Sequence, residues 1–319
     1  MQAAVVSSYD LPPRYETFAE PVAAEGETLV SITAAGLHPI VKALANGSHY
    51  GSTGVFPFVA GVDGVGRTAD GSRVFFGVSR SPFGTFAERG LAAAWMCLPL
   101  PDGIEDAVAA GIANPGMSSW AAMGRGGFQP GENVLILGAT GVAGQLAVQI
   151  ARRRGASRVI AAGRNAAALE QLKSLGADAV VSLEQTDEAL VEAFRQEIAP
   201  AGVDVVLDYL WGRPAECLLR ALAQKGLTKA ARRVRYVEIG DSAGKTIALP
   251  GATLRSSGLE LLGSGFGSAS LDQLRAALEE FFQVAARQPF HFQVKRVKLA
   301  DVEQAWREKE DGVRIIFEP

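Results

Sequence analysis

One short stretch constrains the fold of this chain more than any other. An apolar run at residues 133–137 is followed by Gly138-Ala139-Thr140-Gly141-Val142-Ala143-Gly144. A helical pattern comes next, with Leu146, Ile150 and Arg154 on one face and Ala147 and Ala151 on another. A buried strand that turns through glycines into a helix, with a second apolar run at residues 158–162, reads as a βαβ unit of a parallel sheet. Aligned on the glycine fingerprint of dinucleotide-binding units, Ala139, Gly141 and Gly144 take its three positions. Gly141 lets the backbone approach a pyrophosphate, and Gly144 lets the helix seat closely on the strand. A phosphate there faces the positive end of the helix that starts near Val142. Thr140, Gly141 and Val142 are therefore the expected pyrophosphate contacts. A glycine turn with no ligand is the competing reading, and the complete βαβ context weighs against it.

The same rhythm continues downstream. Apolar runs at residues 179–181, 203–207, 234–239 and 259–262 alternate with helical patterns, among them 188–198 and 215–223. Short apolar strands alternating with helices mean a parallel sheet covered on both faces, so residues 131–264 are expected to form a doubly wound nucleotide-binding fold. The first ~110 residues read differently, as short strands (28–34, 65–68, 73–76 and 95–98) between Gly/Pro clusters. After the βα rhythm ends, an amphipathic helix at 271–287 presents Leu271, Leu274, Leu278 and Phe281 inward, and short elements follow at 293–297, 302–306 and 313–317. That tail is too small to fold alone and is expected to pack on the N-terminal region. The expected domains are residues 1–112 plus 267–319, and residues 113–266, with a ligand cleft between them.

The second strand of the βαβ unit ends in Ala162-Gly163-Arg164-Asn165. A cofactor with a free ribose 2′-OH usually meets Asp or Glu at this place. Here a guanidinium stands instead, suited to bidentate capture of a 2′-phosphate. A charged hydrogen bond of this kind contributes about 1.5–3 kcal/mol, or roughly 10- to 100-fold in affinity. The expected cofactor is NADP(H) rather than NAD(H), with Gly163, Arg164 and Asn165 at the adenosine end. A solvated loop arginine is the alternative.

Composition removes several other classes. With 319 residues, 48% hydrophobic and 20% charged, the chain holds enough apolar material for a large core, which excludes a disordered polymer. Lys plus Arg number 31 against 34 Asp plus Glu, a net charge of −3, so nothing points to nucleic acid or an anionic membrane surface. Uncharged stretches at 43–62, 107–124 and 133–151 are each broken by Gly, Pro, Asn or Thr. The N-terminus lacks a basic region followed by an apolar run, and two cysteines, Cys97 and Cys217, make neither a disulfide framework nor a four-Cys zinc site. A cytoplasmic protein without a membrane partner is expected.

Taken with Ala35-Gly36-Leu37-His38-Pro39, Gly61-Val62-Asp63-Gly64-Val65-Gly66, Val206-Leu207-Asp208-Tyr209, Ile239-Gly240-Asp241-Ser242-Ala243-Gly244 and Arg314-Ile315-Ile316-Phe317, these motifs make the chain resemble the medium-chain dehydrogenase/reductase superfamily. The resemblance is to its zinc-independent quinone oxidoreductase branch and extends over essentially the whole length. It implies an α/β fold in which a doubly wound Rossmann domain is inserted into a β-rich, chaperonin-10-like (GroES-like) catalytic domain. Zinc members carry Cys where this chain has His38, a His-Glu pair where it has Val62-Asp63, and a third ligand near Pro115. His38, Asp63 and His49 could in principle hold a metal, but spacing alone does not unite them, and a metal-free site is expected.

Without zinc to polarise a carbonyl, an alcohol is a poor substrate. Quinones and α,β-unsaturated carbonyls accept hydride more easily, because their π systems spread the arriving charge. The resemblance thus implies NADPH-dependent hydride transfer to such an acceptor. Two alternatives stand beside it: an enone or enoyl-thioester double-bond reductase, and a non-catalytic NADPH-binding sensor or scaffold protein. His38 and Tyr50 are the candidate hydrogen-bond or proton donors, while Asp63 is read as a turn residue satisfying backbone N–H groups. Leu210, Ile239, Gly240, Ser264, Gly265 and Arg314 complete the implied cofactor contacts. Ser118 and Ser119 touch the nicotinamide face or cap a helix. The resemblance also implies a homodimer formed along the sheet edge near residues 259–262.

Overall fold

The computed structural model describes residues 1–77, 79–223, 232–265, 267–308 and 312–319. Phe266, the last residue of the expected nucleotide-binding segment, lies outside them. The chain divides into two compact units, Met1–Pro115 with Leu278–Pro319, and Gly116–Ala277.

The first unit is built of short strands. Strands β1 (Gln2–Val6), β2 (Arg14–Thr17) and β3 (Glu27–Gly36) lead to a short helix, α1 (Pro39–Ala45). Pro39 opens that helix and His38 occupies its N-cap position, which suits a residue whose missing N–H belongs to the unbonded first turn. Strands β4 (Phe58–Val59), β5 (Asp63–Arg67), β6 (Arg73–Gly77), β7 (Arg89–Ala93) and β8 (Cys97–Pro99) follow, and helix α2 (Asp106–Arg125) carries the chain on. β2, β1 and β4 make a three-stranded sheet. The long β3 pairs antiparallel with both β5 and β7 and anchors a seven-stranded sheet. Ala4, Leu37, Val41 and Phe86 pack in its core with Ile315 and Phe317 of the returning tail.

The second unit follows the βα alternation. Its strands are β9 (Asn133–Leu137), β10 (Arg158–Gly163), β11 (Ala179–Ser182), β12 (Val205–Asp208), β13 (Arg233–Glu238) and β14 (Gly258–Gly263). Between them run α3 (Val142–Arg153), α4 (Ala166–Ser174), α5 (Asp187–Ile198), α6 (Gly212–Leu222) and α7 (Gly251–Ser256). All five pairings are parallel, in the order β11-β10-β9-β12-β13-β14. Every residue of β9 is buried, as a central strand covered on both faces requires. Helix α8 (Leu271–Arg287), β15 (Gln293–Lys298), α9 (Val302–Ala305) and β16 (Val313–Glu318) then close the chain, and β16 pairs with β3 in the first unit's sheet. The architecture is a Rossmann domain inserted into a GroES-like domain. Among the described residues no helix is long and apolar enough to cross a membrane.

Candidate cofactor site

Parallel register creates the site. Val181, Ala162, Leu137, Asp208, Glu238 and Gly263 are successive partners across the sheet, so the carboxyl ends of all six strands lie in one row. Sequence reversal between β9 and β12 leaves a crevice at the row's centre, where doubly wound folds receive ligands. Thr140–Val142, Gly163–Asn165, Leu210, Ile239–Gly240 and Ser264–Gly265 each lie within five residues beyond that row. The topology therefore collects along one edge residues more than a hundred positions apart in sequence.

At the glycine loop the packing is tight where the fold needs it and open where a ligand does. A Cβ on Gly144 would lie 2.3 Å from the Gly138 carbonyl oxygen and 2.4 Å from Ala139 Cα. One on Gly141 would have its nearest neighbour at 3.7 Å. Gly141 caps α3 without a side chain, so the first N–H groups of a 12-residue helix face the crevice with no side-chain acceptor at the cap. Thr140 packs over the end of β10, where a Cβ on Gly163 would meet its Cγ2 at 2.5 Å. Val142 is 4% exposed, which limits it to a backbone contact.

Beside the loop lies a cavity of about 330 Å³ lined by Arg164, Leu183, Leu210, Arg213, Ser242 and Ala243, among others. Arg164 is exposed and forms no hydrogen bond or ion pair among the described residues. Arg213, by contrast, is fixed: its Nε donates to Asp187 Oδ1 at 2.6 Å, and its Nη atoms donate to the Leu183 and Gln185 carbonyls. The cavity thus has one anchored guanidinium and one free guanidinium. Arg213 was not among the expected residues; it lies in the first turn of α6, which carries no sequence signature. Asn165 has a local duty, its side-chain oxygen capping α4 by accepting the Ala168 N–H at 3.0 Å.

Asp208, at the tip of β12, is buried and fully engaged. Its Oδ1 accepts the N–H groups of Leu210 (2.8 Å) and Trp211 (3.1 Å), and its Oδ2 accepts the Tyr236 hydroxyl at 2.6 Å. Burial pushes the carboxyl above its ordinary value although these donors favour the charged form. The Tyr236 phenol is raised well above its usual range by burial and by that neighbouring carboxylate. Glu238 is raised by burial first, then by Asp208 and Asp241. Ile239 and Gly240 give their N–H groups to the Asp208 carbonyl, and the Gly265 N–H goes to Ser268 Oγ. The Ser264 N–H goes to the Glu238 carbonyl. Ser118 Oγ lies 3.3 Å from the Tyr209 hydroxyl, whose phenol is raised by burial.

In the first unit the expected donors separate. His38 is completely buried, with Nε2 3.1 Å from Asp63 Oδ1 and Nδ1 buried without a hydrogen-bond partner among the described residues. Its ring packs on Gly36, where a Cβ would come within 2.6 Å of Nε2. Asp63 is not in a turn. It opens β5, and its carboxylate serves the imidazole instead of backbone amides. Tyr50 is 80% exposed, its ring 4.1 Å from that of His49. Burial therefore sets His38 apart from Tyr50. Arg314 is 2% exposed in β16, and its Nη1 donates to the Leu37 carbonyl at 2.5 Å within the first unit.

His49 Nδ1 accepts the Gly51 N–H, Pro115 lies within α2, and no group of three or more His, Cys, Asp or Glu able to hold a metal occurs among the described residues.

The fold and the site edge define a class, that of two-domain dehydrogenases and reductases with an inserted nucleotide-binding domain. A family model described as zinc-binding dehydrogenase matches residues 142–283. The chain is 25% identical to a probable NADPH-dependent quinone reductase of Emericella nidulans, over the full length of both. It is 27% identical to the quinone oxidoreductase of Thermus thermophilus, whose structures include an NADPH complex, with a TM-score of 0.83 and full coverage of both chains. One chain of the phenolphthiocerol/phthiocerol polyketide synthase of Mycobacterium tuberculosis is 32% identical over 223 residues, 66% of this chain and 9% of that protein. These matches support placing the chain in the medium-chain dehydrogenase/reductase superfamily, with the quinone reductase-like branch.

Proposed function

We propose that this chain is a zinc-free, NADPH-dependent oxidoreductase that passes hydride to a quinone or another α,β-unsaturated carbonyl. The single observation that carries the cofactor choice is Arg164: a guanidinium without a partner among the described residues, in a cavity at the end of β10, where a carboxylate would select the unphosphorylated ribose. The cofactor supplies the hydride when bound. The protein's part is to hold it: the backbone at Gly141 and Val142 receives the pyrophosphate, and Arg164 the 2′-phosphate. Leu210 walls the adenosine, and the segments Ile239–Gly240 and Ser264–Gly265 border the nicotinamide end. Two-electron reduction of a quinone also takes up a proton. His38, held by Asp63, is the buried group of the first unit suited to store one, and Tyr50 is the exposed alternative. The quinone reductase relatives support the acceptor class. Similarity to part of a polyketide synthase favours a second reading, reduction of an enone or enoyl thioester at the same cofactor site. The domain split proposed here places the cofactor in residues 113–266 and the acceptor in the remainder.

Arg164→Ala tests the assignment. The NADPH dissociation constant should rise roughly 10- to 100-fold while that of NADH changes little. Equal changes for both would remove Arg164 from the 2′-phosphate.

A further inference from the structure

Two cavities in the second unit are lined by neighbouring residues of one turn. Leu210 faces the cavity that Arg164 lines, and Trp211 faces a second one of about 400 Å³ bordered by Glu238, Asp241, Lys245 and Leu262. These two wall residues are consecutive, and the turn they form is not relaxed: Trp211 has φ 54°, in the left-handed region that non-glycine residues avoid. Such a conformation persists only where its surroundings over-determine it. Here Asp208 does so, one carboxylate oxygen taking both N–H groups of the turn while Tyr236 holds the other oxygen. The opposite side of the turn is fastened as well. The Leu210 carbonyl accepts the Ala243 N–H at 2.7 Å, Ser242 Oγ donates to the Tyr209 carbonyl at 2.9 Å, and Gly212 lies so close to Ala243 that a Cβ would sit 2.7 Å from its oxygen. The Trp211 ring stands edge-on to Tyr236 at 6.2 Å.

We propose that Asp208 and Tyr236 are positioning residues for nucleotide binding: through the Leu210–Trp211 turn they set the wall against which an adenosine moiety packs. Neither side chain lines the cavity itself. Asp208 lies two residues before Leu210 and acts through the turn's backbone, and Tyr236 acts through Asp208. The identity of the ligand rests on the cofactor reading above; the mechanical claim rests on the hydrogen bonds alone.

The test measures binding of 2′,5′-ADP and of 5′-AMP by calorimetry, well below each protein's melting temperature. The proteins are the wild type, Asp208→Leu, Asp208→Asn, Tyr236→Phe and Arg164→Ala. Asp208→Leu should raise both dissociation constants about tenfold, having lost two charged hydrogen bonds to the turn. Asp208→Asn should stay within about threefold of wild type, because an amide oxygen still accepts both N–H groups. Tyr236→Phe should weaken both nucleotides about threefold. If Asp208→Leu does not fold, the Tyr236→Phe result decides. Wild-type affinity for 5′-AMP in Tyr236→Phe and in whichever Asp208 variants fold would overturn the proposal. Arg164→Ala separates the two claims: it should weaken 2′,5′-ADP alone. A failure there would count against the cofactor reading while the 5′-AMP results still judge the turn.

Discussion

Gly141 and Gly144 stand three residues apart in one loop, yet substitution by alanine should separate their effects. At Gly144 the new methyl would meet backbone at 2.3 and 2.4 Å, so α3 must move off the strand. Overpacking against backbone costs about 1–3 kcal/mol or more, and Gly144→Ala should show it as a lower denaturation midpoint. At Gly141 the nearest atom is 3.7 Å away and φ is −76°, ordinary for alanine. Gly141→Ala should therefore unfold like wild type but bind NADPH at least about tenfold more weakly, since the methyl occupies the approach to the helix N-terminus. Unaltered NADPH affinity in a folded Gly141→Ala would remove the pyrophosphate from this loop. The glycine loop and Arg164 could be picked out from sequence because each is a local pattern with its chemistry in adjacent residues. Asp208 with Tyr236, 28 residues apart, and His38 with Asp63, 25 apart, could not, because only strand register and burial bring such pairs together.

Among the elements, those with a clear period were readable and those without were not. The buried runs of β9, β10 and β12 and the amphipathic face of α5 announce themselves. β2 reads Arg-Tyr-Glu-Thr with all four residues exposed, so no alternation marks it, and α1 is only seven residues long. The tip of β13 also carries an electrostatic cost. The Glu238 carboxyl is raised by burial and by Asp208 and Asp241, so the folded state prefers it protonated. Its contribution is present below the ordinary carboxylate value of 4.5 and is lost as pH rises through the higher folded-state value. Glu238→Gln should thus raise the melting temperature at pH 7 and leave it unchanged near pH 3; a gain of the same size at both values would refute the assignment. At the sheet's end, β14 is an edge strand whose Leu261 is 38% exposed. We propose that this edge pairs with a second copy of the chain. Sedimentation at micromolar concentration should show a dimer, and Leu261→Glu should convert it to a monomer; a wild-type monomer would contradict the pairing.

For the whole molecule, the change from irregular short strands to βα alternation and back again predicted the order of the architecture, because each domain type leaves its own spacing of apolar residues. The tail's return was foreseeable on size alone, and β16 pairing with β3 shows how it is accommodated. The burial of Arg314 was not legible, because a resemblance carries roles without burial: in this chain the guanidinium donates to the Leu37 carbonyl inside the first unit. NADPH-dependent reduction without zinc can be followed by absorbance at 340 nm. NADPH and NADH would be supplied in parallel with a para-quinone, with and without EDTA. NADPH should be consumed well above the uncatalysed background and NADH more slowly, with no effect of the chelator. A preference for NADH would contradict the role of Arg164, and activity abolished by EDTA would contradict the metal-free site.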